Sequence, residues 1–176
     1  TGEVTAPGVT LTVREQIQES VFTLLDAENC KNILRTPLPP LLWSGEAFEY
    51  IHALDDFDEA MSELWTIEHQ SVIHDPVAFG TNTQYDQHQQ VQVEGYSWLG
   101  ETYRASHDYI HDQAERILFS LEKNKNLLSS NFLEVSEVQT RFEGLSEIGG
   151  QHLYRCVIGF TILMRRVEVG GRITAT

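Results

Sequence analysis

Cysteine is scarce: the chain has two, Cys30 and Cys156, in no metal-binding spacing and too few for a disulfide framework. Cys156 sits in an alternating segment beside Ile158 and Phe160, which predicts a buried, reduced thiol. Long hydrophobic runs are missing too, since none approaches the roughly 20 residues that span a bilayer as a helix. The opening Thr1-Gly2-Glu3-Val4 has no basic-then-apolar signal layout, so a soluble protein made in the cytosol, with no membrane partner, is expected. Basic residues are few, 12 Lys+Arg against 26 Asp+Glu, for a formal charge of -14. That balance opposes counterion release on a phosphate backbone and disfavours sequence-specific nucleic-acid binding. It suits a solvated surface, or a wall past which DNA slides without adhering.

Chemical signatures are also sparse. Gly149-Gly150 precedes an alternating segment, whereas a phosphate-cradling loop precedes a helix, so it predicts a hairpin turn. No G-x-S-x-G elbow occurs, and neither cysteine has a catalytic neighbourhood. With 26 carboxylates, any pair picked for acid–base work carries no weight. His107 and His111, four apart among Asp108, Asp112 and Glu115, have a spacing that presents two imidazoles to one metal. Asp108, however, stands where a zinc-protease motif has glutamate, and a polar helix face explains the same residues. The remaining histidines, His52, His69, His74, His88 and His152, are scattered. No cofactor, no metal and no enzymatic activity are therefore expected.

What is present is the material of one globular domain, with 41% hydrophobic and 22% charged residues over 176 positions. Residues 1–9 read as a flexible extended arm broken by Pro7 and Gly8, residues 10–167 as a single α+β domain with inserted proline-rich and polar loops, and residues 168–176 as a tail. Thr12 and Glu15 have the spacing of a capping box, and Val13, Ile17, Val21, Leu24 and Leu25 make a helical stripe ending near Asp26. Three prolines between Cys30 and Trp43 exclude a central strand and predict an edge strand or extended connector. Ser44 to Met61 fits either a helical face of Phe48, Ile51, Leu54 and Phe57 or an acidic loop.

Leu64 to Ile73 predicts a strand closed by Asp75-Pro76, Phe79 to Gln90 a long polar loop, and Val91 to Tyr96 a second strand. A second helix spans Ser106, as candidate N-cap, to Leu121, with Ile110, Ala114, Ile117, Leu118 and Leu121 buried and an upstream extension to Tyr103 as the alternative start. Two alternating segments, Phe132 to Phe142 and His152 to Val167, close the chain as a hairpin. In the last strand Tyr154, Cys156, Ile158, Phe160, Ile162 and Met164 are expected to face the core, with Leu153, Arg155, Val157, Thr161, Leu163 and Arg165 opposite. The fold class is α+β: an antiparallel sheet of about four or more strands packed on two main helices, with long loops.

The order of elements, with VQVEGYSW, the helix SHDYIHDQAERILFSL and the closing FLEVSEVQTRFEG…HLYRCVIGFTILMRRV, resembles the tail terminator proteins of long-tailed bacteriophages from Val13 to Val167. The resemblance implies a hexameric ring at the head–tail junction of the virion, assembled in the host cytoplasm. Such a ring caps the tail tube, ends its polymerisation and joins it to the neck or connector, with DNA passing through the lumen unread. Its partners would be further copies of itself, the tail tube protein and a neck or connector protein. On that reading the candidate contact residues are Ile33, Leu38, Leu41, Trp43, Tyr85, Arg155, Val157, Leu163 and Arg165. A stopper or adaptor protein of the same junction is the nearest alternative. A small metal-dependent enzyme using His107 and His111 is a further one.

Overall fold

The structure, a computed structural model, describes residues 4–6, 9–37, 62–78, 82–98, 103–124, 134–148, 151–169 and 172–175. Helix α1 spans Val13–Ala27, and Thr12 caps it as its spacing predicts, its side chain accepting from the Glu15 amide at 3.3 Å. At the other end Asn29 takes a left-handed φ of 61°. The Asn29 amide then reaches the Asp26 carbonyl at 3.0 Å and the Cys30 amide the Leu25 carbonyl at 3.1 Å, a Schellman closure that turns the chain back toward the sheet.

Among the described residues the sheet has six strands: β3 (Ile33–Leu34), β4 (Glu63–Ala78), β5 (Asn82–Ser97), β6 (Glu134–Ile148), β7 (Gln151–Val169) and β8 (Arg172–Ala175). The spatial order is β3-β4-β5-β7-β6, with β8 also beside β7. The β3–β4 pair is parallel and every other pairing in the sheet antiparallel, which confirms the α+β class. Helix α2, Tyr103–Lys123, connects the two long hairpins. No helix among the described residues is long and apolar enough to cross a membrane.

Both helices lie on one face of the sheet. Ile17, Val21, Leu24 and Leu25 of α1 and Ile110, Ala114, Ile117 and Leu121 of α2 share one core with Trp65, Ile67, Val91, Val93 and the even-numbered residues of β7 from Tyr154 to Met164. The predicted core face of the last strand is therefore the observed one. Burying the seven Ile, Val and Leu helix positions at about 1.5–3 kcal/mol each supplies the main attraction between layers, before chain entropy is set against it.

Several boundaries differ from the sequence expectation. Residues 82–90 are not loop: β5 starts at Asn82 and pairs with β7 along its whole length and with β4 from Gln84 on, so only three residues, not a long loop, separate β4 from β5. Period-two hydrophobicity fails there because the paired side chains are Gln, His and Thr, and backbone pairing on both flanks holds the strand. Pro76 does not close β4, which is tolerated because among the described residues no strand pairs with β4 on its other side there. Residues 4–6 pair with residues 9–11 as the hairpin β1 (Val4–Ala6) and β2 (Val9–Leu11), so Pro7 and Gly8 lie between two strands and not in a single extended arm. The expected tail is likewise drawn into the sheet, where Arg172 pairs with Val169 and Ala175 with Arg166. Helix α2 begins before Ser106, which is fully buried inside it and is not its N-cap. The expectations for Ser44 to Met61 lie outside the described residues.

Candidate functional site: the sheet face without helices

Strand parity decides what the other face carries. On β5, Val91 and Val93 point into the core, so Gln90, Gln92, Glu94 and Tyr96 point away. Their cross-strand neighbours on that face are Glu68 and Ser71 of β4, with Gln70 in the bulge between them, Arg155, Val157, Gly159 and Thr161 of β7, and Gln139, Arg141 and Glu143 of β6. No described helix packs over these residues.

They bind one another in a ladder that crosses four strands. The Gln70 amide donates to the Gln92 carbonyl at 2.8 Å, and the Gln92 amide donates to Glu94 at 2.7 Å. Tyr96 donates its hydroxyl proton to the other Glu94 oxygen, and burial together with that carboxylate drives the phenol's pKa upward. Arg155 stands 4.0 Å from Glu94 and donates to Glu143 at 2.8 Å, and Arg141 lies 2.7 Å from the second Glu143 oxygen. Burial alone would lower the Arg155 pKa, but Glu94, Tyr96 and Glu143 outweigh it and the guanidinium stays charged. Its Nε is buried with no hydrogen-bond partner among the described residues.

Toward one end the face turns apolar, with Leu64, Tyr96, Trp98 and Leu153 buried together and Leu34 beside them. In the middle, Gly159 leaves a shallow depression of about 200 Å³ lined by Gln70, Gln90, Glu137, Gln139 and Thr161. Glu137 takes a positive φ of 52° in the β6 bulge between Ser136 and Gln139 and accepts from the Thr161 hydroxyl at 3.2 Å. Farther along, Arg165 grips Asp86 through two bonds of 2.8 and 3.1 Å, which holds the Asp86 carboxyl below its ordinary range.

The candidate contact residues fall unevenly on this surface. Arg155, Val157, Leu163 and Arg165 share the face as expected, but Val157 is only 6% exposed, so the chain itself already covers it. Ile33 lies in β3 at the sheet edge and is half-buried against the helix-side core. Tyr85 belongs to β5, paired with Pro76 and Arg166, and not to a loop. Leu38, Leu41 and Trp43 lie outside the described residues. Glu94, Gln70, Gln92 and Glu143 were not singled out from sequence, although the alternation Gln90, Gln92, Glu94 against Val91 and Val93 already put them on one face.

His107 and His111 do come together, with ring centroids 4.2 Å apart. They are packed as aromatics: His111 stacks on Phe142 at 3.6 Å, and His107 meets Tyr154 edge-on at 5.0 Å. Burial, then the neighbouring His107, lowers the His111 pKa. His107 also bonds Asp108 at 2.9 Å, and among the described residues no three His, Cys, Asp or Glu side chains converge on a metal position. Cys30 and Cys156 are both buried free thiols, each pushed up to about 12 by burial. No protein-family model matches this chain, and no curated protein matches it either.

Proposed function

We propose that this chain is a structural virion protein, a ring-forming terminator that caps a phage tail tube, ends its polymerisation and joins it to the neck. The observation that carries the reading is the one-sided sheet. Two helices cover one face, while the other presents an ordered ladder of Gln, Glu and Arg side chains with no described helix over it. A polar network of that extent, locked by its own hydrogen bonds, offers a pre-organised surface to a neighbouring subunit. The order of helix, hairpin, helix and hairpin agrees with the fold expected from the terminator resemblance. The charge of -14 suits a ring whose lumen lets DNA pass without adhesion.

The test is mass measurement in solution together with electron microscopy of the purified protein, alone and mixed with tail tubes. A closed ring that docks on tube ends and blocks further tube growth is expected. A monomer at every concentration, or a ring indifferent to tubes, would remove the proposal.

A further inference from the structure

Among the described residues the sheet has two long edges with no further strand beside them. β3 covers β4 only at Trp65 and Thr66, and beyond Thr66 no described strand lies on the outer side of β4. At the opposite side β6 pairs with β7 and with no other described strand. Bare edges of this length are templates for another chain and are ordinarily blocked or occupied.

Register places the two edges at one height. Following the pairs across the sheet, Ile67 is level with Val93, Ile158 and Thr140, and Ile73 with His88, Leu163 and Glu134. The bulge of β4 between His69 and Ser71 is level with that of β6 between Ser136 and Gln139, so both edges bend at the same point. Strand sense alternates through β4, β5, β7 and β6, so a second sheet set beside the first in the same orientation brings β6 against β4 antiparallel.

The side chains agree. Of the four exposed large hydrophobics among the described residues, Val72 and Ile73 lie on the β4 edge and Val138 on the β6 edge. Charges are complementary at matching levels on the face away from the helices: Glu68 would face Gln139 diagonally to Arg141, whose side chain is 65% exposed.

We infer that β4 of one copy pairs with β6 of the next, so that the sheets run on from subunit to subunit as a head-to-tail contact. This rests on the ring reading above and adds to the polar face an edge contact between subunits: a heterologous interface, which closes into a ring when the rotation per subunit divides the circle.

Full-length Val72→Cys and Val138→Cys, made separately, are co-expressed and treated with a short bismaleimide; the native thiols are buried. A linked dimer is expected from the mixture and only monomer from either variant alone, while the double variant should give a ladder ending at the ring. Linkage within a single variant would overturn the head-to-tail geometry. A ring seen by mass in which the mixture stays unlinked would overturn the edge pairing and leave the ring reading standing. A wild-type monomer would remove the ring reading, and this contact with it. Val72→Lys, a charge on an exposed edge, should convert ring to monomer with thermal unfolding unchanged, and an intact ring in that variant would also overturn the inference.

Discussion

The two faces of β7 are one strand read at alternate residues, and they are held in opposite ways. Cys156, Ile158, Ile162 and Met164 on the helix side are fully buried and gain from the loss of water alone. Arg155, Thr161 and Arg165 on the other side are each bound to a carboxylate on a neighbouring strand. Non-directional attraction tolerates small shifts, whereas the ladder depends on donor and acceptor positions. The helix side therefore makes the domain stable, and the open side fixes the relative positions of its own polar side chains.

The largest effect should come from breaking the helix side. Ile158→Asp puts a carboxylate in a fully buried position and should cost about 4 kcal/mol or more, enough to abolish the cooperative thermal transition. Circular dichroism on heating checks this, and a normal transition would refute the assigned face.

One substitution made on each face sharpens the contrast. Gly95 faces the core, where an added Cβ would lie 2.3 Å from the Trp65 ring, itself fully buried in the core shared by the sheet and the helices. Gly95→Ala should cost about 1–3 kcal/mol through overpacking. Gly159 lies on the open face, where an added Cβ meets nothing within 4 Å. Gly159→Ala should be neutral or stabilise by up to about 1 kcal/mol through reduced unfolded-chain freedom. Denaturant midpoints of the two variants decide it, and equal losses would contradict the two-face description.

The same asymmetry governs what was legible in the sequence. Helix α1, its Thr12 cap and the buried set on β7 followed from periodicity, because burial enforces a repeat of hydrophobic residues. The outer half of β5 did not: Gln84, Gln87, Gln89 and Gln90 carry no such repeat, and only pairing to β4 and β7 makes them a strand. The ladder was half legible. Parity placed Arg155 and Arg165 on one face, but their partners Glu143 and Asp86 belong to strands whose register no local pattern reveals.

Arg155→Ala tests the ladder with a smaller loss, about 1–2 kcal/mol, because the ion pairs are partly solvated and part of the Coulomb gain is screened. What remains is Glu94 and Glu143 without the cation between them. A double-mutant cycle with Glu143→Gln should show coupling that shrinks in high salt, and strict additivity would mean the contact contributes nothing.

The smallest effect belongs to the end of the sheet where α2 meets the β6–β7 hairpin. The His111 pKa is lowered in the fold, so near its ordinary range the unfolded chain binds more protons than the native one. Stability from the neutral imidazole is thus present above about pH 6.5 and declines as pH falls through that value toward the lower folded pKa. His111→Phe keeps a ring stacked on Phe142 and removes the titrating group. Melting temperatures of wild type and variant should converge at about pH 7.5 and separate at about pH 5.5, with the variant higher. A parallel decline in both would move the acid-sensitive group elsewhere and leave the His111 stack a purely apolar contact.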